Sequence, residues 1–559
     1  MSTSNGKAKE RVFAGLVADM PIGSMREVPL QSDIDPPVNA LVSNVHGTYY
    51  ATTSKCTHYG LPLVKGVLTD DGRVYCPFHG ACFKVTTGDI EDAPALAPLK
   101  TIEVEVSGEE VYLLVDYEEL KKPAWTACKK DKNAATSGPT TVFVGGGAVT
   151  LHAVQEMRRS GYQGKIIVLT AESYPTIDRT KLSKATAPSL DSVLVRDEVF
   201  WRETLDVDLR LSSPVFMIDT KMKRLHVHGG NTVLYDYLVL GTGSVPRRLP
   251  VPGADAKGVY VLRTYQDAEA ISEALHKRPS PKLVVIGTGF IGLEMGIALS
   301  KRAEVTLIGQ THVPLEGPLG RQVGGGLQTA IMNERNLRFL NAVDVVSIDT
   351  DLNGHVRGVT VQPRARGSPQ LQLHADLVLM STGARPATDF LKNSPSFPAL
   401  RPDGSVEVDS ALRVAGLKDV YAGGDIAAYP NEQSQHHVRI EHWNVASNHG
   451  RQIGRTIASG KIRTYTHIPV FWSGLTSPLR YAGTGVGYTQ VYVDGEPDEA
   501  EFIAYYAKDD RVIGVASMWK DPMLVQALSL MRAGKMPKLS VLAAGLDIMT
   551  LNTAPARKL

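Results

Sequence analysis

Leu283-Val284-Val285-Ile286-Gly287-Thr288-Gly289-Phe290-Ile291-Gly292-Leu293-Glu294-Met295-Gly296-Ile297-Ala298-Leu299-Ser300 is the stretch on which the fold turns. Leu283 to Ile286 reads as a buried parallel strand, and Leu293 to Ser300 continues as a helix. Between them, Gly287-Thr288-Gly289-Phe290-Ile291-Gly292 satisfies G-x-G-x-x-G. Gly287 makes the tight turn, Gly289 lets the backbone approach a pyrophosphate, and Gly292 lets helix pack on strand. Hydropathy alone would pass the stretch as a membrane span. Glu294 and four glycines in a strand-turn-helix rhythm favour a buried βα unit instead.

An earlier stretch repeats the pattern. Thr141-Val142-Phe143-Val144 reads as a parallel strand, Gly145-Gly146-Gly147 as the turn and Ala148 to Arg159 as the helix, with Thr150 in the third glycine's place. The next strand, Lys165 to Thr170, leads to Glu172, placed to accept from a ribose hydroxyl. Gly145 and Gly147 allow a pyrophosphate at the helix N-terminus. Two such units in one chain imply two dinucleotides, most simply a bound flavin and a transient nicotinamide.

Ahead of both lies different material. From Pro37 to Val115 short alternating strands are broken by His46-Gly47, Asp70-Asp71-Gly72 and Ser107-Gly108, the pattern of an antiparallel β domain. Its loops carry Cys56-Thr57-His58 and Cys76-Pro77-Phe78-His79. Cys56, His58, Cys76 and His79 make a set of two thiolates and two imidazoles, which a [2Fe–2S] cluster with Cys on one iron and His on the other requires. Cys₂His₂ also binds zinc, although zinc sites usually pair Cys with Cys and His with His, whereas each half here is mixed.

Composition sets the outer bounds. At 559 residues the chain needs three or four cores. Apolar residues at 43 %, charged residues at 21 % and a formal charge of +2 describe ordinary globular material, with no Lys/Arg block that would call for nucleic acid. Of four cysteines, two are metal-ligand candidates, while Cys82 and Cys128 stand alone, so no disulfide framework or C-x-x-C pair is expected and a reducing compartment fits. Cys82 reads as a packed small residue. No transmembrane segment is expected, and Met1 to Ala18 has no signal-peptide core.

Several stretches carry a more specific resemblance: Asp178 to Lys184 (DRTKLSK), Tyr235 to Ser244 (YDYLVLGTGS), Ser381 to Pro386 (STGARP), Val420 to Ile426 (VYAGGDI), Glu441 to Gly450 (EHWNVASNHG) and Arg480 to Gly483 (RYAG). From Val142 to about Met549 the chain resembles the ferredoxin reductases and apoptosis-inducing factors. With the cysteine–histidine domain, which resembles a Rieske domain, in front, it is similar to the Rieske-containing apoptosis-inducing factor-like flavoproteins. The resemblance implies an α/β fold with an N-terminal antiparallel β Rieske domain, two Rossmann-like dinucleotide-binding domains and a C-terminal α+β domain. The expected division is Rieske domain 1–118, linker 119–139, FAD-binding parts 140–265 and 385–462, NAD(P)H-binding domain 266–384 and C-terminal interface domain 463–559.

The resemblance also implies site residues. Gly145, Gly147, Glu172, Arg179, Thr242, Gly243, Gly424, Asp425, Glu441, His442 and Trp443 fall at flavin positions, with Asp425 accepting from the ribitol and a helix beginning near Glu441 aimed at the pyrimidine ring. Trp443 and Trp472 are expected near the flavin ring. Gly287, Gly289 and Gly292 serve the nicotinamide dinucleotide. Lys184 and Glu294 are expected to form an ion pair where nicotinamide stacks. Gly309-Gln310-Thr311-His312, after the Glu304 to Ile308 strand, lacks both the acid of NAD enzymes and an Arg pair for a 2′-phosphate, with a slight lean to NADH. High-potential Rieske relatives carry cysteines where Leu61 and Phe78 stand, and hydroxyls where Ala81 and Phe83 follow, so a potential toward the low end of roughly −150 to +300 mV is implied.

The expected activity is NAD(P)H-dependent reduction of FAD, then of the cluster, then of an unidentified acceptor. A redox-gated signalling protein, switched in oligomer or partner by NAD(P)H, is the rival. A terminal oxygenase would need two His and one carboxylate at a spacing the sequence does not offer, and a disulfide reductase would need a cysteine pair. The resemblance leaves a homodimer open. A cytoplasmic location is expected, with mitochondrial association left open.

Overall fold

The structure, a computed structural model, describes residues 9–30, 38–123, 138–335, 337–431 and 436–551. At the N-terminus, six antiparallel strands lie in the order Glu10–Leu16, Glu110–Val115, Thr101–Ser107, Thr48–Thr53, Asn39–Val45 and Met25–Pro29. His46 (φ 53°) and Gly47 (φ 85°) are both left-handed, as a two-residue hairpin between right-twisted strands demands. A smaller sheet of Val67–Leu68, Arg73–Tyr75, Cys82–Lys84 and Ile90–Asp92 packs beside it, and the Cys76-to-Ala81 loop closes two of its strands through the Tyr75–Cys82 pair.

Two parallel sheets follow. The first has the order Asp208–Arg210, Ile166–Leu169, Thr141–Val144, Tyr237–Leu240 and Val420–Ala422, with helix α1 (Ala148–Arg159) behind the Thr141–Val144 strand. The second has Val259–Tyr260, Leu377–Met380, Lys282–Ile286, Glu304–Ile308 and Leu337–Leu340, with helix α2 (Phe290–Leu299) following Lys282–Ile286. Val259–Tyr260, ahead of residue 266, already belongs to this second sheet. Ala384–Pro386 returns to pair with Ser244–Pro246, so two crossings join the halves. Helix α3 (Trp443–Ser459) lies against α1, and a Cβ on Gly450 would come within 2.2 Å of Val149 O, which explains the glycine at that contact.

The C-terminal unit is a five-stranded antiparallel sheet, Val470–Gly474, Pro478–Gly483, Arg511–Met518, Glu501–Lys508 and Gln490–Glu496, covered by the helix Met523–Arg532. Its core is continuous with that of the N-terminal domain, since Val67, Tyr75 and Cys82 pack in one cluster with Val470, Val515 and Leu528. Cys82 is fully buried there.

Some boundaries shift for local reasons. Helix α2 starts at Phe290 rather than Leu293, because Gly289 is already its N-cap, and α3 starts at Trp443, two residues after Glu441. A short helix, Tyr117–Lys121, that Asp116 caps by accepting from Glu118 and Glu119 N–H, straddles the expected start of the linker at 119. The linker's remainder from 124 to 137, with Cys128, lies outside the described residues. No helix among the described residues is long and apolar enough to cross a membrane.

Candidate cofactor sites

The two cysteine–histidine loops share one backbone design. Cys56 N–H donates to Leu61 O at 2.8 Å and Gly60 N–H to Cys56 O at 2.8 Å, while Cys76 N–H donates to Ala81 O at 2.8 Å and Gly80 N–H to Cys76 O at 3.1 Å. Gly60 and Gly80 adopt φ 75° and 73°, which an L side chain resists. Each loop thus offers a buried thiol and an imidazole. His58 Nδ1 and His79 Nδ1 face each other at 3.1 Å, and the Cys56 and Cys76 thiols hydrogen-bond one another, which holds Cys76 below the ordinary thiol value and pushes Cys56 above it. Burial lowers His58 to about 4 and His79 to about 2, so both rings are neutral and able to donate a lone pair. Among the described residues no group of three His, Cys, Asp or Glu side chains is placed to hold a single ion. With thiol facing thiol and imidazole facing imidazole, the donors stand as a sulfur pair and a nitrogen pair, which suits a two-iron cluster better than one tetrahedral zinc.

The first cavity, about 790 Å³, opens at the carboxyl ends of the first parallel sheet. Helix α1 begins at Gly147 with no side-chain cap, and nothing lies within 4 Å of where a Gly147 Cβ would be. Its first amides thus lack acceptors that a phosphate would supply. Gly145 (φ 103°) passes so close to the neighbouring strand that a Cβ would sit 2.3 Å from Gly241 O. Thr150 stands where G-x-G-x-x-G would have its last glycine, and its Oγ1 donates to Gly145 O at 2.5 Å, bracing the turn. Glu172 lines the cavity and accepts from Arg179 Nη2 at 2.6 Å.

At the far end Asp425 is buried, and its Oδ2 accepts from Ser244 Oγ at 2.8 Å and Arg263 Nη2 at 2.9 Å, while Oδ1 takes neither bond. Gly424 (φ 70°) donates its N–H to His449 Nδ1 at 3.1 Å. Thr242 Oγ1 donates to Ala387 O at 2.8 Å beside Gly243. Glu441, His442 and Trp443 close this end, with His442 as the N-cap of α3, again without a side-chain cap bond, and lowered to about 4 by burial. Glu441 pairs with Arg439. The elongated cradle, with an uncapped helix at one end and a carboxylate beside a second uncapped helix at the other, fits FAD.

A second cavity of about 1,230 Å³ adjoins it, lined by Gly289, Phe290, Lys184, Glu294 and Trp472. Gly289 is the uncapped start of α2, with open space beside it. Glu294 is buried yet accepts four hydrogen bonds: from Lys184 Nζ at 2.9 Å, from Ser183 Oγ, from Ser473 Oγ at 2.6 Å and from Gly474 N–H at 3.1 Å. The donors come from two domains and the carboxylate from a third. Lys184 Nζ also lies 4.6 Å from the Trp472 ring, whose other neighbour is His79 at 4.5 Å between ring centroids. Trp472, expected near the flavin ring, lines this second cavity and sits between Lys184 and His79. Trp443 lines both cavities.

Gly292 sets a sharp test of the second loop. A Cβ there would fall 2.0 Å from Gly287 O, a backbone atom. Gly292→Ala is expected to lose about 1–3 kcal/mol in a denaturant melt and to weaken NAD(P)H binding in a titration, because strand and helix must part.

Sequence reasoning missed Ser244, Arg263, Ser183 and Ser473. Ser244 and Ser183 sit inside quoted stretches, next to residues that were singled out. Arg263 and Ser473 meet their carboxylates only through tertiary folding, and nothing in their local sequence marks them.

Comparison with known proteins agrees with this geometry. Residues 11–103 match the Rieske [2Fe-2S] domain, and residues 139–450 match the pyridine nucleotide-disulphide oxidoreductase model. Apoptosis-inducing factor 3 of Homo sapiens is 31% identical over 93% of this chain and 83% of its own length. Rhodocoxin reductase of Rhodococcus erythropolis is 30% identical over 68% of this chain and 86% of its own. Among solved structures, a ferredoxin reductase from Rhodopseudomonas palustris superposes with a TM-score of 0.67 at 25% identity, covering 74% of this chain and 100% of that one. The chain belongs to the pyridine nucleotide-disulphide oxidoreductase family, with a Rieske [2Fe-2S] domain ahead of it, and its cofactors are FAD, NAD(P)H and a [2Fe-2S] cluster.

Proposed function

We propose that this NAD(P)H-dependent reductase delivers electrons one at a time to a protein or small-molecule acceptor through its own cluster. When bound, FAD supplies the exchange between a two-electron donor and the one-electron cluster. The single observation that carries the reading is the Glu294–Lys184–Trp472–His79 succession, which joins the nicotinamide cavity to a cluster ligand through contacts of 2.9, 4.6 and 4.5 Å.

The residues have separate tasks in this proposal. Gly145, Gly147, Glu172, Arg179, Thr242, Gly243, Gly424, Asp425, Glu441, His442 and Trp443 hold FAD; Gly287, Gly289 and Gly292 hold the nicotinamide dinucleotide; Cys56, His58, Cys76 and His79 hold the cluster. Lys184, balanced by Glu294, places a positive group where the nicotinamide stacks. NADH is the preferred donor. Asp344 accepts from Gln310 Nε2 at 2.9 Å and so brings a carboxylate near the end of the Glu304–Ile308 strand. The absence of cysteine and hydroxyl side chains at Leu61, Phe78, Ala81 and Phe83 supports a low cluster potential and a donor role. The domain division given above, with the nicotinamide-binding part begun at Val259, a homodimer and a reducing compartment complete the proposal.

The test is anaerobic mixing of the holoprotein with NADH or NADPH while flavin absorbance and the reduced-cluster signal are followed. Flavin bleaching followed by the cluster signal, faster with NADH, is expected. Bleaching without any cluster signal, in a long-lived complex of altered oligomeric state, would favour the signalling reading instead.

A further inference from the structure

Helix α3 borders the FAD cavity with His442, Trp443 and Ala446. A second set of its residues, Asn444, Asn448, Arg451 and Arg455, recurs at helical spacing and so forms one stripe along the helix. The stripe is polar yet largely buried: Asn448 is 1% exposed and Arg451 4%. Its partners include backbone groups of the iron–sulfur domain, while Arg451 and Arg455 also pair with Glu156 of α1 at 3.2 and 2.9 Å. Asn448 Oδ1 accepts from Ala93 N–H at 2.9 Å, Asn444 Nδ2 donates to Ala93 O at 2.8 Å, and the two amides are joined at 3.3 Å. Arg451 Nη2 donates to Ile90 O at 2.6 Å, and Arg455 Nη2 reaches the same carbonyl at 3.4 Å.

Both backbone groups of Ala93 are therefore matched by one asparagine pair. Ala93 follows the Ile90–Asp92 strand, which pairs with Cys82–Lys84, the strand entered from the Cys76–His79 ligand loop. Unmatched, such buried amides would be costly to leave in a helix face, and packing alone would select apolar residues there. The same helix thus contacts the flavin cavity and, through Ala93 and Ile90, the sheet whose Cys76-to-Ala81 loop carries two candidate cluster ligands.

We infer that Asn448, with Asn444, is a positioning residue that fixes the iron–sulfur domain against the flavin-side helix, so that electrons pass between the cofactors of one chain. The inference rests on the reductase reading above. Asp92, held by His467 at 2.8 Å and by Arg532, adds a second attachment, so loss of Asn448 tilts the domain rather than releasing it.

The experiment uses full-length holoprotein carrying Asn448→Leu, with Asn448→Ser as the milder variant should the first fail to fold. On anaerobic mixing with NADH, flavin bleaching is expected to stay within about twofold of the parent while cluster reduction slows about tenfold, equivalent to about 1.4 kcal/mol. The reduced-cluster spectrum should keep its shape, and the Ala93 amide should exchange hydrogen faster even without NADH. Unchanged cluster reduction and unchanged exchange in a folded variant would overturn the inference, as would flavin and cluster rates falling together. If the parent protein itself bleaches its flavin but never reduces the cluster, the reductase reading fails, and exchange at Ala93 alone decides the docking role.

Discussion

Cys76→Ser is expected to yield a folded flavoprotein that bleaches with NADH at near the parent rate, shows no cluster signal and delivers electrons to a one-electron acceptor protein more than about a hundredfold more slowly. The argument starts from the loop. Cys76 is held by its own N–H to Ala81 O and by Gly80 N–H to its carbonyl, bonds that the side chain does not enter, so the turn survives. What is lost is one of the two buried thiols, and a serine hydroxyl is a poor thiolate substitute for iron. Perturbing groups that only orient metal ligands costs 10- to 100-fold in many sites, as an order of magnitude, and removing a ligand exceeds that. The flavin cavity lies among other residues, so its reaction with nicotinamide is spared. The checks are iron content, the reduced-state spectrum and single-turnover flavin kinetics.

Glu294→Ala is expected to be the most damaging change at the nicotinamide cavity. It strips the common acceptor from Lys184, Ser183, Ser473 and Gly474 and leaves a cation facing a mostly buried hole. Breaking a buried pair by removing one partner costs about 3–5 kcal/mol, with a discount here because Lys184 keeps some solvent and Thr180 O at 2.8 Å. A loss near the lower figure is expected in a denaturant melt. The rate of flavin bleaching by NADH should fall about a hundredfold, the effect of about 1 Å of misplacement at a reacting centre. Glu294→Gln keeps the volume but turns one acceptor into a donor against Lys184 or Gly474, and should fall between the two proteins in both measurements.

What could be read from the chain differs by cause. The glycine turns were legible because the backbone demands them: Gly287 at φ 111° and Gly145 at φ 103° admit no side chain, and that constraint is local. Thr150 was legible only as a departure, since its bond to Gly145 O is a tertiary fact. The candidate cluster ligands stand out in the sequence because two short loops with the same turn carry them. Trp472, expected near the flavin ring, has a contact with His79 that was not legible, because the two residues lie nearly four hundred positions apart in the chain. Asn444 and Asn448 lay inside a quoted stretch, yet their role against Ala93 joins residues more than three hundred positions apart. Contacts between domains leave almost no mark on local patterning, which is why the domains were readable and their docking was not.

Counting electrons tests the account most directly. Anaerobic titration of the fully loaded chain with NADH should reach its end point at about 1.5 equivalents, three electrons per chain, two on the flavin and one on the cluster, with the cluster signal rising to about one spin per chain. An end point at about one equivalent, with the flavin bleached and no cluster signal at any stage, would contradict it.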